Sequence, residues 1–202
     1  YDANGGTVSE TSRTITEGNQ IGNLPTPNKD GYRFYGWYAI SNGNDWQTSY
    51  LILSSSTMTQ DLKIVASWGP PVETLAKQNA STLPDGIYKI YSGISSFSDY
   101  NLKPRLENSD DENQILLKKE DSSEYAFWQI EHDSSGFVMF KNRKTGKYLD
   151  LEGAYASSKR KIQLYSENGT YAQKWIVVNK NGKYQIISAV NPNFVLDLSN
   201  AT

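Results

Sequence analysis

Two short segments of this chain recur at one fixed distance, and that limits the folds open to it. Tyr148-Leu149-Asp150-Leu151 is echoed 47 residues later by Val195-Leu196-Asp197-Leu198, and Gln173-Lys174-Trp175 is echoed 47 residues earlier by Ala126-Phe127-Trp128. A constant period marks several copies of one supersecondary unit, each too small to bury its own apolar face. The copies must therefore pack against one another. Gly86-Ile87-Tyr88-Lys89-Ile90 opens the first copy, Gly136-Phe137-Val138-Met139-Phe140 the second, and Gly182-Lys183-Tyr184-Gln185-Ile186-Ile187 the third. Each begins at a glycine turn with an alternating strand, then a Leu-Asp-Leu-like strand. A further strand, Gln163-Leu164-Tyr165 in copy two, precedes the one that bears Trp. Four short strands per copy and almost no helix predict a threefold all-β barrel over residues 84–202. Repetition of this kind favours a binding module over a one-site enzyme.

Copy three is incomplete. The copy-two spacing, counted from Asp197, puts its Trp beyond Thr202. On repeat logic the parent protein is expected to continue past Thr202, or another segment or chain to complete the barrel.

Residues 1–68 follow a different pattern. Gly5-Gly6, Gly18-Asn19, Pro25, Pro27, Asp30-Gly31 and Asn42-Gly43-Asn44 punctuate short apolar or alternating runs. Tyr32–Tyr38 and Leu62–Trp68 read as strands, with Tyr32, Phe34, Trp37, Trp46 and Trp68 as the candidate core. Gly69-Pro70-Pro71 stops the last strand, because proline has no ladder donor. Residues 69–83 read as a linker or a docking turn, with one helical possibility around Glu73–Gln78.

Composition removes several classes of function. The net charge of −2 and 21% charged residues create no field that would draw nucleic acid or an acidic membrane. No run is long and apolar enough to span a bilayer as a helix. One histidine and no cysteine leave the usual zinc ligand sets unfilled. Glu131-His132-Asp133-Ser134 is contiguous, whereas a catalytic triad needs side chains that converge, and no motif supports a nucleophile. No local pattern nominates the facing carboxylate pair of a glycosidase. Asp110-Asp111-Glu112 lacks the glycine and spacing of a calcium loop. No catalysis and no cofactor are expected. Absent cysteine fits both a cytosolic protein and a bacterial surface protein without disulfides.

Two family resemblances add to this. Tyr1-Asp2-Ala3-Asn4-Gly5-Gly6-Thr7-Val8, Leu24-Pro25-Thr26-Pro27, Asp30-Gly31-Tyr32-Arg33-Phe34, Gly36-Trp37-Tyr38 and Ala66-Ser67-Trp68 come in the order of the Listeria–Bacteroides repeat, which residues 1–68 resemble. The resemblance implies a small β-grasp-like module of a secreted or wall-anchored bacterial protein. The pattern normally has a strand residue or two before it, so an N-terminus trimmed at Tyr1 is expected. Gly169–Trp175, with Gln173-x-Trp175, Leu149-Asp150-Leu151 and Gln163-Leu164-Tyr165, resembles the ricin-type β-trefoil lectins, over residues 84–202. That resemblance implies a glycan as partner, outside the cell or on its surface, and further domains in the parent protein.

A neutral sugar needs an acceptor carboxylate, an amide that donates and accepts, and an aromatic plate for its C–H-rich face. At family-matched positions, copy two offers Asp150 as carboxylate, Tyr165 as plate, and Gln163 two residues before the plate on the same strand face. Gln173 reads as a tie to backbone or to the aspartate, and Trp175 as core. Ala172 stands where sugar-binding lobes of the family carry an Asn, and Asn168 is the candidate to compensate. Copy one, aligned by spacing, has Asn101 for Asp150, Leu116 for Tyr165 and Ala126 for Gln173, and reads as scaffold. Copy three keeps Asp197 without a plate. Lys159-Arg160-Lys161 reads as a solvated turn. Two further readings stay open: a targeting module of a larger secreted hydrolase, and a structural stalk without a sugar site.

Overall fold

The computed structural model describes residues 1–40, 49–93, 105–108, 115–118 and 124–197. Trp46, Asn42-Gly43-Asn44, Asn101, Asp110-Asp111-Glu112 and Leu198 lie outside the described residues. The chain divides into two compact units, Tyr1–Pro71 with Ala156–Ser158 and Val72–Tyr155 with Lys159–Thr202. Among the described residues no helix is long and apolar enough to cross a membrane.

In the first unit, β1 (Arg33–Ala39), β2 (Tyr50–Ile52) and β3 (Ile64–Gly69) form an antiparallel sheet in the order β2-β1-β3. Asp2 bridges the free side of β3 in parallel, at Val65. The motif residues hold one another. The Trp37 indole N–H donates to the Pro25 carbonyl at 2.8 Å, and the Trp68 indole to the Ala3 carbonyl at 2.8 Å. Phe34 packs between the two indoles, with ring centroids 5.6 Å from Trp37 and 5.4 Å from Trp68. Gly6 sits so close to this cluster that a Cβ would lie 2.5 Å from the Asn28 carbonyl oxygen and 2.9 Å from the Trp68 ring. Tyr32 is a correction to the expected core: it is 53% exposed. It precedes β1 at the end of the Asp30-Gly31 turn, and its ring lies outside under the Lys29 ammonium, 4.8 Å from the centroid.

The second unit opens with helix α1 (Val72–Asn79), in the stretch read as linker or docking turn. Val72 and Ala76 are buried, and the helix packs on a later strand. Strands then follow in fours. β4 (Gly86–Tyr88), β5 (Arg105–Asn108), β6 (Ile115–Lys118) and β7 (Trp128–His132) make copy one. β8 (Val138–Asn142), β9 (Tyr148–Leu151), β10 (Ile162–Tyr165) and β11 (Trp175–Lys180) make copy two, and β12 (Lys183–Ser188) opens copy three. In each full copy the first strand pairs with the fourth, β4 with β7 and β8 with β11, while the middle two form a hairpin. The copies join through β7–β8 and β11–β12. The core is made by the same positions in successive copies: Trp128 and Ile130, then Trp175 and Val177, around Phe140, Leu149 and Leu164. Among the described residues the regular elements are mostly strands, with one short α-helix.

Candidate functional site

The β9–β10 hairpin explains how copy two can present polar groups at all. Antiparallel pairing sets Gln163 opposite Asp150, Tyr165 opposite Tyr148 and Leu164 opposite Leu149. Because side chains alternate, Leu149, Leu151 and Leu164 take the core side, and Asp150, Gln163 and Tyr165 share the other. Tyr165 is 52% exposed there. Asp150 is only 3% exposed, because the segment after β10 folds back over β9.

That segment is built around two side chains. Asn168 Oδ1 accepts from the Thr170 backbone N–H at 3.0 Å and its hydroxyl at 2.8 Å, an Asx turn completed by Gly169 at φ +66°. Gln173, in the 3-10 turn Tyr171–Gln173, accepts from the Asn168 backbone N–H at 3.0 Å and donates to the Ser166 carbonyl at 2.9 Å. Of the two roles left open for Gln173, the tie to backbone is the one observed. Asp150 receives two neutral amides: Gln163 Nε2 on Oδ1 at 3.0 Å, and Asn168 Nδ2 on Oδ2 at a looser 3.4 Å. Each carboxylate oxygen accepts about two hydrogen bonds, so capacity for a donor remains on both. Ala172 is buried, and the amide near Asp150 on that side comes from Asn168.

The structure thus brings Asp150, Gln163, Asn168 and Gln173 into one hydrogen-bonded group with Tyr165 on the same face. Asp197 is not part of it; it is exposed, two residues past Val195, which bridges Ile187 on β12. In copy one, β5 and β6 aligned strand on strand with β9 and β10 put Glu107 at the Asp150 position and Leu116 at that of Gln163, since those two residues pair. Spacing alone had set Leu116 against Tyr165; the connection from Asn108 to Ile115 is shorter than that from Leu151 to Ile162. Arg160 is not a free cation of the loop. Its Nε donates to the Glu152 carbonyl at 2.6 Å and its guanidinium lies 3.9 Å from the Tyr155 ring centroid. His132 pairs through Nδ1 with Asp85 Oδ1, joining the starts of β4 and the end of β7.

Sequence reasoning missed a cluster behind the 3-10 turn. Lys174 pairs with Asp133 at 2.8 Å, and its ammonium sits 5.5 Å from both the Phe137 and Tyr171 ring centroids. Burial alone would raise the Asp133 carboxyl; the Lys174 ammonium and the Phe137 and Ser135 backbone N–H groups outweigh it and hold the carboxyl below its ordinary range. A depressed native value means stabilisation that is complete above the unfolded pKa of about 3.9 and lost as pH falls through the lower folded value. Melting temperature is therefore expected to drop below about pH 4 more steeply in the wild type than in Asp133→Asn. Parallel acid limbs for the two proteins would refute this assignment.

Comparison with known proteins finds two family matches. Residues 1–67 match the model of the Listeria-Bacteroides repeat domain, and residues 124–202 match that of the ricin-type beta-trefoil lectin domain-like family. Residues 1–67 are thus similar to the first family and residues 124–202 to the second, each match covering less than half of the chain.

The lectin-like match runs from the end of copy one through all of copy two, and so contains the whole Asp150 group. Compared with curated proteins, the chain matches none. Among solved structures it is similar to the designed threefold symmetric protein ThreeFoil, with 23% identity over 58% of this chain and 82% of that one, at a TM-score of 0.51. A mosquitocidal holotoxin shares 24% identity over 59% of this chain and 14% of its own, at a TM-score of 0.50. The Polyporus squamosus lectin shares 25% over 59% and 46%, at a TM-score of 0.47. The chain spans less than half the length of the last two proteins. The first two likenesses speak for the fold of the lectin-like domain.

Proposed function

We propose that copy two of the lectin-like domain binds a glycan, and that the chain is a non-catalytic carbohydrate-binding and adhesion fragment of a secreted or cell-surface bacterial protein. One observation carries the reading: a carboxylate held by two side-chain amides stands beside an exposed aromatic ring on one strand face. Asp150 takes hydroxyl protons and fixes the orientation of the sugar, Gln163 and Asn168 share its other hydroxyls, and Tyr165 stacks on its C–H face. Gln173 shapes the loop. Asp197 is a second acceptor of the same type in copy three. A single site of this size binds weakly, because a small polar ligand buries little area and displaces water from polar groups. Useful adhesion comes from avidity across several domains of the parent, and the same property would serve a module that targets a larger secreted hydrolase.

A glycan array with the full chain beside Tyr165→Ala tests the reading. The wild type is expected to retain a defined set of sugars, and loss of the stacking ring to weaken binding roughly tenfold. Equal retention by both proteins would remove Tyr165 from the site. The near-complete burial of Asp150 favours a second reading, in which the carboxylate serves only to hold the Asn168 loop in a structural module. Silence of the wild type across the array would put that reading ahead.

A further inference from the structure

We infer that helix α1 is a positioning element for the copy-two site: through Glu73 and Tyr171 it holds the turn whose Gln173 sets the Asn168 loop over Asp150. The inference rests on the glycan reading above.

The helix can come close because of one glycine. At Gly136, φ +86°, a Cβ would lie 3.0 Å from the Ala76 carbonyl oxygen and 3.1 Å from Ala80 Cβ, so any side chain there would push the helix away. Docked, α1 turns Glu73 towards the 3-10 turn, where Glu73 Oε1 accepts from the Tyr171 hydroxyl at 2.7 Å. The Tyr171 ring meets Phe137 edge-on, with centroids 5.5 Å apart at 82°. Lys174, tied to Asp133, closes the other end of the turn, its backbone N–H donating to the Tyr171 carbonyl at 3.2 Å. Gln173 is bracketed by these two anchored residues. Its side chain holds Asn168 N and Ser166 O, and Asn168 Nδ2 reaches Asp150. Hydrogen bonds, linked by the covalent chain of the turn from Tyr171 to Gln173 and through Asn168, thus connect α1 to the carboxylate. Each link near the surface adds little to stability, whereas a recognition site loosened by about 1 Å loses much of its binding.

The test uses the full chain and three variants: Glu73→Ala, Glu73→Gln and Tyr171→Phe. Backbone amide exchange at Asn168 and Thr170 is followed by NMR, together with titration by galactose, N-acetylgalactosamine, glucose and mannose. In Glu73→Ala and Tyr171→Phe, exchange at Asn168 is expected to quicken at least about fivefold while Leu149 keeps wild-type protection. The Kd of whichever sugar binds the wild type is expected to rise about three- to tenfold in the same two variants. Glu73→Gln should restore both, since its amide oxygen still accepts from the Tyr171 hydroxyl. Wild-type exchange in the two disruptive variants would overturn the inference. So would faster exchange with an unmoved Kd, or a Glu73→Gln that behaves like Glu73→Ala. If none of the four sugars binds the wild type, the glycan reading fails for them, and exchange at Asn168 alone decides whether α1 holds the loop.

Discussion

Trp175→Ala is expected to unfold the lectin-like domain at or near room temperature. Trp175 is 1% exposed at the start of β11, and its indole N–H donates to the Leu149 carbonyl at 3.1 Å. Truncating a buried Trp to Ala costs about 3–5 kcal/mol, and the orphaned carbonyl adds about 1–3 kcal/mol where water cannot reach it. Against a total stability of about 5–15 kcal/mol for a domain, that is about half of it at mid-range and all of it at the low end. The same bond pins Leu149, the residue before Asp150, so the binding face would go with the core. Trp175→Phe keeps an aromatic ring and loses the donor, and should melt between the two. Thermal unfolding followed by near-ultraviolet circular dichroism measures all three. A Trp175→Ala domain that melts cooperatively within about 1 kcal/mol of wild type would show that Trp175 does not carry the core.

The second large effect is expected on binding. Asp150→Asn should lower affinity for the bound glycan by about a hundredfold or more while the fold persists. A charge-assisted hydrogen bond contributes about 1.5–3 kcal/mol, and the reading gives Asp150 two of them. The substituted amide also turns one of its atoms into a donor, facing either Gln163 Nε2 or Asn168 Nδ2, each of which already donates. One of those side chains must turn over, and the hydroxyl-accepting geometry is lost with it. Isothermal titration with the sugar found on the array, alongside thermal melts, separates lost binding from lost fold. Undiminished affinity would mean that Asp150 does not touch the sugar, and would turn attention to Asp197 or to the Listeria-Bacteroides repeat.

The period of 47 residues, the Gly-led first strands and the alternation through Leu149-Asp150-Leu151 were legible because they are local: a strand of period two has only two faces, and a repeat must bury the same positions each time. Those rules assigned the all-β class and put Gln163 and Tyr165 on one strand face; the resemblance singled out Asp150, and the β9–β10 register set it on that face. The motifs of residues 1–68 were equally readable, since the Trp37 and Trp68 indoles each answer a carbonyl in another motif. Tyr32 was misread because its inward position depends on where β1 begins, which a turn decides. The reach of Asn168 to Asp150, the burial of that carboxylate and the docking of α1 on the Gly136 turn belong to the tertiary structure alone. They arise where a loop or helix closes on residues distant in the chain, and closure of that kind follows from packing and hydrogen-bond geometry that no local pattern encodes.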